Sequence, residues 1–192
     1  MKTFVKHGLL CTVLAVGPWM PPHMSSAAVI SVTNLTVVAP PPTVGADFLT
    51  DQQLPEAVIF DERQNVTLSS ALTTDTGVIP TGTLVNSHLF AVQSLSPRAL
   101  TSSATFSGKV LGVIYLDGSA NWVTSDFLGV PGTSYLENPT FCHLCGFEPS
   151  DTVKIIGNTV EFQNGFSMPG DIARVITAAA PLPGRAPLLQ LP

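Results

Sequence analysis

The chain has 192 residues, with 8 Lys+Arg against 13 Asp+Glu, a formal net charge of -5 and 11% charged residues, where an average soluble protein has about 25%. Eight basic residues cannot line a phosphate backbone, which excludes nucleic acid as a partner. An apolar content of 45% excludes an acidic disordered chain, leaving a globular protein whose surface is polar but uncharged.

Lys2, Lys6 and His7 open the chain, an apolar run follows over 8–20, and Ser25-Ser26-Ala27-Ala28 supplies small residues. That order is the pattern of a secretory signal peptide over 1–28, cleaved near Ala28. Pro18, Pro21 and Pro22 argue against an anchor helix, and the run is too short to span a bilayer. The expected location is secreted or at the cell surface. Cys11 leaves with the leader. The mature chain of about 164 residues is long enough for one domain, and carries no membrane span.

Residues 29–56 contain Pro40-Pro41-Pro42, which favours an extended segment, and read as an N-terminal spacer with one short strand near 37–39. Strand signals then recur over 57–60, 66–68, 84–92, 104–116, 152–156, 159–162 and 171–177, broken by Gly, Pro, Asn and Asp. No window shows sustained helical periodicity, although 125–128 reads as one helical turn capped by Ser125. These features predict an all-β domain over 57–177, an antiparallel β-sandwich, jelly-roll-like. Thr and Ser, 36 residues together, suit half-exposed strand faces. From 178 to 192 the chain is a Pro/Ala/Leu-rich tail.

Phe60-Asp61-Glu62-Arg63-Gln64-Asn65-Val66-Thr67-Leu68, the stretches 82–88, 106–114 and 126–135, and the segment 167–177 together resemble a domain of bacterial exported proteins that carry PEP-CTERM or VPLPA-CTERM sorting signals. The resemblance implies an exported β-rich domain at the cell surface, often in bacteria that make exopolysaccharide, and brings no catalytic residues. Ala180-Pro181-Leu182-Pro183 matches the start of such a signal. No apolar helix or basic cluster follows it, so the tail reads as a sorting signal that has either decayed or been truncated.

Cys142-His143-Leu144-Cys145 is a lone C-x-x-C between Pro139 and Pro149. A redox motif would need a helix N-terminus and a βαβ setting. Zinc would need a second ligand pair, and haem attachment would need His where Gly146 stands. A small disulfide between Cys142 and Cys145 is the reading carried forward, with redox, metal-binding and free-thiol states as its alternatives. No metal or cofactor is expected. The turn acids Asp117, Asp126, Glu137, Asp151 and Asp171 could offer oxygens to Ca²⁺, but no EF-hand spacing joins them.

Asp61, Glu62 and His88 are the most enzyme-like set. Adjacent strand residues point to opposite faces, so Asp61 and Glu62 cannot share one site as paired carboxylates. His88 falls on one face with Asn86 and Phe90, where a hydrogen-bonded structural role fits better than ligand binding. Ser87 lies in no G-x-S-x-G context. Tyr115, Trp122, Tyr135 and Phe141 cluster mid-chain, and exposed rings of this kind can stack on sugars. Trp122, Tyr135 and His88 are therefore the ligand-binding candidates, and extracellular polysaccharide the candidate partner. The expected function is non-catalytic, structural or binding; the alternative is a carbohydrate-binding module or a component of a carbohydrate-active enzyme.

Overall fold

A computed structural model describes residues 28–45, 48–135, 146–166 and 170–179. The strands in chain order are β1 (Val29–Thr33), β2 (Thr36–Val37), β3 (Thr43–Val44), β4 (Ala57–Asp61), β5 (Val66–Thr67), β6 (Leu72–Thr74) and β7 (Gly77–Ile79). They continue with β8 (Leu84–Val92), β9 (Arg98–Phe106), β10 (Val110–Ile114), β11 (Ser134–Tyr135), β12 (Thr152–Ile156), β13 (Thr159–Phe166) and β14 (Asp171–Ala178). The helical elements are short: α1 (Phe48–Asp51), α2 (Asn121–Thr124) and a 3-10 turn over Asp126–Leu128. None is long and apolar enough to cross a membrane.

Two sheets make an all-β sandwich. One has the order β1-β9-β13-β12; the other has the order β10-β14-β8-β4-β2, with β5 also on β8. All pairs within them are antiparallel except β2 with β4. Ile59, Phe90, Val113 and Val175 from the larger sheet pack against Ala104, Phe106, Val160 and Phe162 from the smaller, and Phe90 stacks on Phe162 with ring centroids 4.2 Å apart.

The larger sheet is covered on its other face too. Val58, Phe60, Val85, Leu89 and Ile176 meet Val44, Phe48, Leu68, Leu72, Ile79, Trp122 and Leu128 there, a third layer of short helices and the β6–β7 hairpin. This explains why β8 does not alternate: every residue after Leu84 is buried, as in strands sandwiched from both sides. The smaller sheet has a solvent face. Its register lines up Ser31, Thr105 and Thr159 in one row, and Thr33, Ser103, Glu161 and Lys154 in the next. The Thr105 and Thr159 hydroxyls are hydrogen-bonded at 2.9 Å, so the Thr/Ser-rich face inferred from composition is present on this sheet.

Residues 29–56 are not a spacer. β1 pairs with β9, β2 pairs with β4, and Val44, Phe48 and Leu49 are core residues. The edge strand β1 is half-exposed and interrupted by a register shift between Val29 and Ser31, which erases the alternation that would reveal it. The domain therefore begins near Val29 rather than at 57. The single strand expected over 104–116 is two, β9 and β10, lying in different sheets on either side of the Ser107-Gly108-Lys109 connection. The hairpin between β12 and β13 turns on Gly157, whose φ of 64° suits glycine at the first position of a two-residue turn. Cys142, Cys145, Phe141, Glu137 and the tail from Ala180 lie outside the described residues, as does the leader through Ala27.

Candidate functional site

Strands β4, β8 and β14 lie side by side, and their consecutive residues present polar groups to the two faces of the larger sheet in turn. On the face toward the smaller sheet, His88 Nδ1 is 2.7 Å from Asp61 Oδ1 and His88 Nε2 is 3.2 Å from Thr177 Oγ1. With the Nδ1 proton directed at the carboxylate, Nε2 is the acceptor for the Thr177 hydroxyl. The set has the acid–imidazole–hydroxyl order of a nucleophilic triad. Its solvent access is reversed: Asp61 is 41% exposed, whereas His88 is fully buried, as is Thr177. Phe106 covers the imidazole with ring centroids 4.6 Å apart. Asn86 and Phe90 share this face, as the spacing implied.

The opposite face carries a denser network that sequence reading missed. Arg174 Nε donates to Glu62 Oε2 at 2.7 Å and Nη2 to Oε1 at 2.9 Å, and both side chains are fully buried. Nη1 donates to the Ser125 carbonyl and hydroxyl oxygens at 3.0 and 2.6 Å. Glu62 also accepts from Ser87 Oγ at 2.6 Å and Tyr135 Oη at 2.7 Å. Burial alone would lower the Arg174 pKa, but the Glu62 carboxylate outweighs it and holds the guanidinium above its ordinary value. Burial first, then the Glu62 charge, pushes the Tyr135 phenol well above the ordinary tyrosine value.

This network accounts for the aromatic candidates. Trp122 is fully buried; its indole N–H donates to the Leu116 carbonyl at 3.1 Å, and Arg174 lies 5.7 Å from its ring centroid. It offers no face to a ligand. Tyr135 is half-buried, has Arg174 at 5.8 Å from its ring, and accepts from the Val130 N–H at 3.0 Å. Its ring seats on Gly129, where an added Cβ would lie 2.7 Å from Cε2. Among the described side chains the exposed aromatic is Phe127, at 45%. Ser125 precedes the expected helical turn, but its hydroxyl makes no cap and serves Arg174 instead.

A third cluster lies at the end of the sandwich where β12 and β14 begin. Carboxylate oxygens of Glu148, Asp151 and Asp171 lie within 4.8 Å of one another. Asp151 accepts from the Gly165 and Glu148 backbone N–H groups at 2.9 and 3.0 Å. Asn164 Nδ2 is 3.3 Å from Asp171 Oδ2, while Asn164 Oδ1 is buried without a partner. Burial, then the Glu148 charge, pushes Asp171 up to about 7, with Asp151 and Asp117 adding to the rise and the Asn164 hydrogen bond opposing it. Burial and the Asp151 hydrogen bond likewise raise Glu148. Of the turn acids singled out in the sequence, Asp151 and Asp171 converge, with Glu148 as an unforeseen third. Asp126 sits in the 3-10 turn instead.

Asp75 organises the chain ahead of Trp122. It accepts from the Tyr115 and Leu116 N–H groups at 2.7 and 2.8 Å, and from Ser119 Oγ and Asn121 Nδ2 at 2.8 and 2.6 Å. An open groove of about 370 Å³, crossed by the Glu56–Arg98 ion pair, lies beside Asn34, Leu35 and Leu100. No aromatic side chain lines it. No protein-family model matches the chain, and neither a curated protein nor a solved structure matches it.

Proposed function

We propose that the protein is an exported, non-catalytic β-sandwich domain with a structural or binding role at the cell surface or in extracellular matrix. The observation that carries the non-catalytic reading is the burial of Thr177. The one acid–imidazole–hydroxyl set among the described residues ends on a hydroxyl shut between two sheets, where no substrate carbonyl can approach within reacting distance. Glu62, the other carboxylate considered for catalysis, is neutralised by Arg174 and has all its bonding directed inward. The leader pattern over 1–28 and the resemblance to PEP-CTERM-type proteins support export, and the Thr/Ser-rich face of the smaller sheet, on which the Lys154 and Glu161 charges offset each other, suits contact with neutral polymers.

A polysaccharide and glycan array on the full chain, with and without Ca²⁺, tests the ligand. Binding lost on changing residues of the Thr/Ser face supports a carbohydrate-binding role; no binding in either condition leaves a structural role. Turnover of any glycan substrate, abolished by His88→Gln in a folded variant, would overturn the non-catalytic reading. Mass spectrometry of exported protein tests both cleavage near Ala28 and the Cys142–Cys145 bridge.

A further inference from the structure

We propose that the groove beside the Glu56–Arg98 ion pair is a docking site for an uncharged, extended peptide, which adds to β9 where β1 leaves off. β1 covers β9 only as far as Ser103, opposite Thr33. Asn34, with a φ of 54°, then turns the chain away to become β2 in the other sheet. The first residues of β9, Arg98 to Ser102, have β13 on one side and, among the described residues, no strand on the other.

The direction of the free backbone groups follows from the bonds at the two ends of β9. Phe106 N–H donates to the Asn158 carbonyl at 2.9 Å and the Phe106 carbonyl accepts from Asn158 Nδ2 at 2.7 Å, both on the β13 side. Successive residues turn these groups to opposite edges, so the odd-numbered residues face the β1 side. Thr101 conforms: its carbonyl accepts from Asn34 Nδ2 at 2.8 Å. The N–H and C=O of Ala99 and the N–H of Thr101 therefore point into the groove, where the described residues supply no partner. Gly165, opposite Ala99, gives its own N–H to Asp151 Oδ1 at 2.9 Å.

The edges of both sheets are otherwise guarded. Along β10, Val113 N–H donates to Thr76 Oγ1 and the Val113 carbonyl accepts from Asp75 N–H, each at 3.0 Å. β12 carries the exposed Lys154 at its centre, β2 is two residues long, and β1 is interrupted by its register shift. The start of β9 has none of these devices. Its alternating donor and acceptor, at strand spacing, are complementary to another peptide backbone. Leu35 and Leu100 line the groove half-buried, which suits one apolar side chain pointing inward, as Val32 of β1 does. Glu56 and Arg98 already neutralise each other, so the groove calls for no charge on the peptide, and its volume of about 370 Å³ holds a short strand rather than a folded partner.

The full chain, isotope-labelled for NMR, is titrated with an acetylated and amidated pentapeptide of alternating valine and threonine, and amide hydrogen exchange is read residue by residue. Without peptide, the Ala99 and Thr101 amides should exchange faster than those of Leu100 and Ser102, which face β13. With peptide at up to about 1 mM, the weak end of specific binding, both should slow by about tenfold or more. Ala99→Pro removes the edge donor without touching the β13 ladder and should weaken binding by about tenfold. If that variant fails to fold, the same peptide methylated on every backbone nitrogen tests the bonds from the other side and should not bind. Unchanged exchange at Ala99 and Thr101, protection centred on β12 instead, parental affinity in Ala99→Pro, or binding of the methylated peptide overturns the proposal. So does protection of Ala99 that rises with protein concentration in the absence of peptide, which would assign this edge to a second copy of the chain.

Discussion

Glu62 and Arg174 stand 112 positions apart in the chain and meet through two hydrogen bonds of 2.7 and 2.9 Å, with no solvent access to either side chain. Removing two charges from water is costly, and the pair offsets that cost only because every Glu62 oxygen and most Arg174 protons find partners. Arg174→Ala, which strands the Glu62 charge, should destabilise the fold by about 3–5 kcal/mol, and Arg174→Met with Glu62→Leu together by much less than the two single changes summed. A urea-unfolding double-mutant cycle reads this directly; additive costs would show that the two side chains are not coupled.

Tyr135 extends that network and should set its alkaline limit. Its folded pKa is raised while an unfolded tyrosine ionises near 10, so its contribution is intact below about pH 10 and is lost as pH rises beyond that. In a Tyr115→Phe background, tyrosinate absorbance should appear only together with unfolding. A normal titration of the folded protein near pH 10 would contradict the burial described above. Gly129→Ala should act on the same ring by steric displacement, costing about 1–3 kcal/mol, and Tyr135→Ala should relieve the clash.

The His88 set predicts an order of effects. His88→Leu leaves the buried Thr177 hydroxyl without its ring partner and should cost about 1–3 kcal/mol. Asp61, at 41% exposed, regains water when its partner is lost, so Asp61→Ala should cost about 1 kcal/mol or less. Thermal or chemical unfolding of the variants ranks them; an Asp61 cost exceeding that of His88 would mean the carboxylate, not the buried ring, anchors the site.

The acid cluster makes stability depend on pH. Asp171 is protonated up to about 7 in the fold but titrates near 4 once unfolded. Between those values the native state holds the extra proton, so stability is full below about pH 4, declines as pH rises to 7, and is level above. The groups facing Asp171 are Glu148, Asp151, Asp117 and Asn164. The unfolding midpoint should rise on acidification from about pH 8 to 5, and Asp171→Asn should flatten that slope. An identical slope in the variant would assign the dependence to other carboxylates.

Much of the sandwich was legible because its strands are bounded by turn residues and dense in β-branched or aromatic side chains. Leu84–Val92 and Thr152–Ile156 were read with their ends in place. Arg98–Ser103 escaped notice because its ALTSS composition is that of a half-exposed strand, with few apolar residues to mark a period. Partnership across the fold was illegible for a different reason. Nothing near Glu62 points to Arg174, and Trp122, preceded by Gly118-Ser119-Ala120-Asn121, carries the local chemistry of an exposed loop although the third layer closes over it. The turn acids were visible singly; their convergence on Asn164 depends on how β12, β13 and β14 end.

The strand order of the larger sheet also dictates when the protein can fold. β14, the last strand among the described residues, lies between β10 and β8, so β10 has no neighbour in that sheet until the chain has been made through residue 178. Closing contacts of such long sequence separation is slow, and a chain halted before Asp171 would present two bare strand edges, β8 and β10, ready to pair with other molecules. Synthesis and assembly are thereby separated in time: the nascent chain must hold the β8 edge open, and the eight-residue strand β14 then joins β10 to the rest of the sheet in one step.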